Sequence, residues 1–134
     1  MTNLTPHFTQ EEFTYSRIAI ENGWDNTPPA AALHALQRLA HNLLEPLRDR
    51  LGAPIAITSG YRSEKVNRAA GGVSRSAHRK GEAADCFCAA GPEKLLEILL
   101  ASGLPFDQAI LYKRRRFLHL AYREENNRKE VLYK

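Results

Sequence analysis

Apolar residues recur along this chain with several distinct periods, and each period predicts an element. Thr9-Gln10-Glu11-Glu12 has the form of a capping box, a hydroxyl followed three residues later by a carboxylate, so a short helix should run through Phe13 and Tyr15. Thr27 before Pro28-Pro29 reads as an N-cap followed by proline in the first helical turn. From there Leu33, Leu36, Leu39, Ala40, Leu43, Leu44, Leu47 and Leu51 keep helical spacing, the strongest such signal in the sequence. Pro46 should kink or break that helix, and Gly52 should end it.

The remaining pattern is shorter in period. Residues 54–58 read as a strand running into a turn at Ser59-Gly60. Ser63 should cap a short helix through Val66 and Ala70 that stops at Gly71-Gly72. A polar loop covers 73–81, and 83–88 reads as a buried strand. A helix opens at Pro92, buries Leu95, Leu96, Ile98 and Leu99, and ends at Gly103. Strands at about 108–112 and 117–122 then flank the basic turn Lys113-Arg114-Arg115-Arg116. Early helices and a closing hairpin predict an α+β fold with a mainly antiparallel sheet.

Composition narrows the class. The 134 residues are 43% hydrophobic and 25% charged, ordinary globular values that suit a single domain over 1–134. No apolar run approaches the ~20 residues of a membrane helix, and no secretory signal pattern opens the chain. A cytoplasmic location and no membrane partner are the expectation. Cys86 and Cys88, on one strand, would lie about 6.6–6.8 Å apart along it, too far for a bridge, and read as small buried hydrophobes.

The net charge of +4 is uneven. Residues 1–61 carry 4 basic and 6 acidic side chains, and residues 62–134 carry 15 and 9. A basic second half points to an anionic partner. The Lys113–Arg116 run has no aromatic interleaving of the kind nucleic-acid modules show, so it reads as a solvated turn or a contact with an anionic wall polymer rather than a nucleic-acid site.

The chemistry concentrates in two segments, Ser76-Ala77-His78-Arg79-Lys80-Gly81-Glu82-Ala83-Ala84-Asp85 and Phe117-Leu118-His119-Leu120-Ala121. Catalytic zinc takes three protein ligands, commonly imidazoles and carboxylates, and keeps one position open. His78 in a loop and Asp85 on the following strand can meet at one ion only if the chain bends, and Gly81 can supply the bend. Alternation puts Asp85 on a face with Ala83 and Phe87, away from the two thiols, and His119 on a face with Phe117 and Ala121. His34 and His41, seven apart, read as surface residues of the long helix, and no role is assigned to His7.

Ser76-x-His78-x-x-Gly81-x-Ala83-x-Asp85 with a later strand His119 resembles the zinc D-alanyl-D-alanine carboxypeptidase family, which includes VanX-type dipeptidases and phage endolysins. Phe8-Thr9-x-x-Glu12-Phe13, Asn26-Thr27-Pro28, Leu44-Glu45-Pro46-Leu47-Arg48, Ile57-Thr58-Ser59-Gly60-Tyr61-Arg62, Asn67, Gly71-Gly72 and Phe106-Asp107-Gln108 are similar to its small phage- and prophage-associated branch. The resemblance implies a D,D-peptidase/hedgehog-like domain, a sheet flanked by helices, that binds one zinc ion through His78, Asp85 and His119. It implies substrate contacts from Arg62, whose guanidinium suits a carboxylate or a developing oxyanion, and from Ser76. The implied function is hydrolysis of peptidoglycan stem peptides, as a carboxypeptidase or an endolysin-like endopeptidase released to the wall during phage lysis.

One feature departs from the family pattern. Its usual general base, a carboxylate near the end of the strand before the hairpin or a histidine two residues before the last ligand, falls here on Tyr112 or Lys113 and on Phe117. No acidic residue occurs between Asp107 and Glu124, which leaves Tyr112 as a candidate proton donor or oxyanion partner and the base unknown. The alternative is a zinc-containing but catalytically silent wall-binding or phage-structural protein.

Overall fold

The computed structural model describes residues 2–134. An N-terminal hairpin of β1 (Asn3–Thr5) and β2 (Phe8–Thr9) leads directly into α1 (Gln10–Thr14). The capping box forms as expected: the Glu12 amide donates to Thr9 Oγ1 at 3.3 Å, and the Thr9 amide donates to Glu12 Oε2 at 2.8 Å. A further short helix, α2 (Arg17–Asn22), is capped by Ser16 and closed by Gly23. Its six residues are too short to leave a periodic signature in sequence.

The long apolar helix exists, with two corrections. It starts at Ala30, with Pro29 rather than Thr27 at the N-cap position, because each residue ahead of a proline is pushed out of the helical region. Thr27 instead donates its hydroxyl to Asp25 Oδ1 at 2.7 Å. Nor does Pro46 break it. The helix runs as α3 (Ala30–Leu39), a π-helical turn over Ala40–Leu44, and α4 (Glu45–Leu51). In the π turn the Glu45 amide reaches back five residues to the Ala40 carbonyl, a register change that accommodates the missing amide of Pro46 without a break. Gly52 then ends the helix in the left-handed conformation.

The rest is organised by one five-stranded sheet in the order β3-β4-β6-β5-β7. Its strands are β3 (Ala56–Ser59), β4 (Ala83–Phe87), β5 (Gln108–Tyr112), β6 (Phe117–Ala121) and β7 (Glu130–Tyr133). All neighbours are antiparallel except β5 and β7. β7 is absent from the sequence reading because its segment, Glu130-Val131-Leu132-Tyr133, is a short edge strand among charged residues. Helices α5 (Glu64–Ala69) and α6 (Pro92–Ser102) form where expected, α5 capped by Ser63 and α6 closed by Gly103.

The two faces of the sheet have different fates. Ala84, Cys86, Ala109, Leu111, Leu118 and Leu120 point into a core completed by Leu36, Leu39, Leu43 and Leu47 of the long helix and Leu95 and Leu99 of α6. Both cysteines are buried and unbridged, and burial pushes the Cys86 thiol far above its ordinary value, so it stays a neutral apolar group. The opposite face, which carries Asp85, Ile110, Tyr112, Phe117 and His119, is not covered by a helix. It forms the floor of a cleft of about 1160 Å³.

Candidate metal centre

Strand register builds the site. Asp85 on β4 lies directly opposite His119 on β6, so both side chains leave the sheet on the cleft side. Their polar atoms meet, with His119 Nδ1 2.8 Å from Asp85 Oδ1. His78 comes from a 3₁₀ turn, Ala77–Lys80, whose N-cap is Ser76 and whose last residue is followed by Gly81 at φ +72°. A side chain at Gly81 would be strained at that φ and would run into the Ala32 carbonyl of α3, so this bend needs glycine.

The bend brings His78 Nε2 to 3.3 Å from Asp85 Oδ1. The ligand atoms of His78, Asp85 and His119 all lie within 4.8 Å of one another. Donors arranged tetrahedrally at zinc distances of ~2.0–2.2 Å are separated by roughly 3.3–3.6 Å, so a small divalent ion fits after a slight parting of His119 from Asp85.

The hydrogen bonds behind the ligands sharpen that test. His78 Nδ1 is 2.7 Å from the Gly60 carbonyl, an acceptor only, so Nδ1 carries the proton. With Nδ1 committed to the Gly60 carbonyl, Nε2 is the ring atom turned toward the Asp85 carboxylate and the one available to a metal ion. The donor chemistry and the fixed tautomer both suit a metal ion. The Arg62 amide in turn donates to the His78 carbonyl at 3.0 Å, tying the 60–62 segment to the same turn.

Electrostatics agree. His78 and Asp85 are buried, and burial opposes the charge on Asp85. The His119 hydrogen bond, then that of His78 and the charges of both rings, outweigh this and hold its carboxyl below the ordinary carboxylate range. Thr58 on β3 donates to the Asp85 carbonyl at 3.2 Å, next to an irregularity in β3–β4 pairing that lets Ser59 oppose Asp85.

The other expected site residues also converge here. Arg62 is held by three neighbours: Nε donates to Ser59 Oγ at 3.1 Å, Nη1 reaches Asn67 Oδ1 at 3.4 Å, and Nη2 lies 3.6 Å from Asp85 Oδ2. Burial pulls its ionisation down, Asp85 pushes it up, and the Arg115 charge opposes it. Ser76 lines the cleft, and its Oγ accepts the His78 amide at 3.2 Å, so it shapes the ligand turn. Tyr112 lines the cleft and stacks on Phe117, with centroids 4.5 Å apart and planes 18° from parallel.

A protein-family model described as Peptidase M15 matches residues 6–121. The chain belongs to the Peptidase M15 family. Peptidase M15 members are zinc-dependent metallopeptidases, which agrees with the imidazole–carboxylate–imidazole cluster. A comparison with curated proteins finds no match.

Other residues do not join the centre. His34 and His41 are exposed on the long helix, as expected. His7, which had no expected role, bonds Glu45 Oε2 at 2.7 Å and forms a partly exposed group with Asp49 away from the cleft. Among the cleft residues to which the sequence assigned no role, Arg115 and Asp107 bear most on the site. Arg115, within the basic run, turns its guanidinium over the Phe117 ring at 5.4 Å and lines the cleft. Asp107 also lines it, but Arg128 grips its two oxygens at 3.0 Å each. The cue for Arg115 was available in the i,i+2 spacing of Arg115, Phe117 and His119 across the start of a strand.

Proposed function

We propose that this M15 metallopeptidase hydrolyses peptide bonds in peptidoglycan stem peptides, as a D-Ala-D-Ala carboxypeptidase or an endolysin-like endopeptidase. The observation that carries the reading is the convergence of His78 Nε2, His119 Nδ1 and Asp85 Oδ1 at the floor of an open cleft. These three residues would hold one zinc ion. Bound there, zinc supplies a Lewis acid for the scissile carbonyl and lowers the pKa of its water toward ~7.

The chain's own residues do the rest. The Gly60 carbonyl holds the His78 ring in the tautomer a ligand needs, and Ser76 fixes the turn that carries it. Arg62 stands beside the Asp85 carboxylate with its fork clamped by Ser59 and Asn67, so its charge reaches the reacting carbonyl with little reorganisation. Tyr112, at the cleft wall, donates a hydrogen bond to the oxyanion or a proton to the leaving amine.

A second reading has its own support. Asp107 is engaged by Arg128, and the positions where the family resemblance puts the general base fall on Tyr112 or Lys113 and on Phe117. Those features favour a zinc-containing, catalytically silent wall-binding or phage-structural protein. Incubation of the zinc-loaded protein with muropeptides decides between them. Release of D-alanine or cleavage of cross-links supports the peptidase. No product with zinc or any other divalent metal would overturn it.

A further inference from the structure

The basic turn between β5 and β6 is unexplained by the metal centre, yet it is held more firmly than a solvated loop requires. The Arg116 amide bonds the Tyr112 carbonyl at 3.0 Å, and the Lys113 amide bonds the Lys134 carbonyl beyond β7 at 2.9 Å. Arg116 takes a left-handed φ of +62°, and its Nη1 donates to Glu93 Oε2 on α6 at 2.6 Å. The turn is thus tied to the sheet edge on one side and to α6 on the other.

What this scaffold presents is Arg115. Among the cleft's arginines, Arg17, Arg62, Arg116 and Arg128 each face a carboxylate of the chain itself, Arg75, Arg115 and Arg123 form no ion pair among the described residues, and of these three Arg115 is the one seated on an aromatic ring. Arg115 makes no ion pair among the described residues and rests instead on the Phe117 ring, 5.4 Å from its centroid. Phe117 is backed in turn by Tyr112. A guanidinium fixed on an aromatic face keeps its outer N–H fork free and planar, ready for a bidentate acceptor.

We propose that Arg115 forms a substrate subsite for a free carboxylate of the peptide, distinct from the carbonyl that is cleaved. The inference rests on the peptidase reading and names the feature that the cleft selects. The strand sets the distance. Phe117 and His119 are two residues apart on one face, so a group bound by Arg115 over Phe117 is offset from His119 by roughly 7 Å along the strand, about two residues of extended peptide. The fitting substrate carries an acidic side chain or main-chain carboxylate at that remove from its scissile bond.

The test uses the zinc-loaded full chain and two synthetic stem peptides, identical except that this carboxylate is free in one and amidated in the other. The parent should favour the free acid by about three- to tenfold in KM, as expected for a partly exposed charge-assisted pair. The preference should shrink with added salt. Arg115→Gln should abolish it, whereas Arg114→Gln, an exposed neighbour outside the cleft lining, should retain it. Equal KM for the two peptides in the parent, or a preference that survives Arg115→Gln, overturns the subsite. Equilibrium binding of the same peptides separates the two claims. Should neither be hydrolysed, the peptidase reading fails, while a binding preference lost in Arg115→Gln upholds the subsite and equal affinities overturn it.

Discussion

Asp85 and His119 sit opposite each other on adjacent antiparallel strands, and the 2.8 Å contact between Asp85 Oδ1 and His119 Nδ1 follows from that register. A one-residue slip of β6 would send His119 into the core and Leu118 into the cleft. The candidate metal centre is therefore as secure as the sheet, with only His78 supplied by a turn.

Removing the shared carboxylate should dismantle the centre. The parent is expected to bind one zinc per chain, and Asp85→Ala should bind more than ~100-fold more weakly, beyond the 10–100-fold typical of residues that only support ligands. Metal content after dialysis against a weak chelator, measured beside the parent, checks this. Stoichiometric zinc in the variant would refute the assignment of Asp85.

The bend before β4 is equally demanding. Gly81→Ala places a side chain at φ +72° and against the Ala32 carbonyl. The left-handed conformation alone costs ~1–2 kcal/mol, and the clash adds to it, so a loss of about 2–4 kcal/mol is expected in urea unfolding. Zinc affinity should fall with it, because His78 and Asp85 meet only through this bend.

Asn26 is a buried hinge pin. Its Nδ2 donates to the Thr14 and Tyr61 carbonyls at 2.9 and 3.1 Å, and its Oδ1 accepts the Ser63 amide at 2.8 Å. Asn26→Ala leaves these groups without their partner on both sides of Arg62. A destabilisation of about 2–4 kcal/mol is expected from chemical denaturation. If turnover is measurable, the loss should appear in kcat as well as in stability, since Arg62 loses its brace.

Acid should loosen the joint between the start of β5 and the segment leading into β7. Asp107 has an 8% exposed side chain, which burial alone would make harder to ionise. The Arg128 hydrogen bonds and charge outweigh this and depress its carboxyl below the ordinary value. A depressed folded-state pKa contributes stability above the unfolded value of ~3.9 that is lost as pH falls through the folded one. The denaturation midpoint of the parent should thus drop below about pH 4 more steeply than that of Asp107→Asn. Parallel pH profiles for the two proteins would show that the pair contributes nothing.

Local chemistry was legible in the chain itself. The capping box at Thr9, the glycine stops at Gly52 and Gly103, the Ser63 cap and the face-by-face alternation of Asp85 and His119 all depend on neighbours within a few residues. These preferences act over one turn or one pleat, so sequence periodicity carries them. Tertiary packing decided what such periodicity cannot encode. The π turn that absorbs Pro46 is worthwhile only because Leu43, Leu44 and Leu47 gain core burial on both sides of it. Strand β7 forms only because β5 offers it an open edge, and Arg115 reaches the cleft only because that sheet and α6 pin its turn. Contacts between segments far apart in the chain are selected by shape and burial in the assembled molecule, and no local pattern announces them.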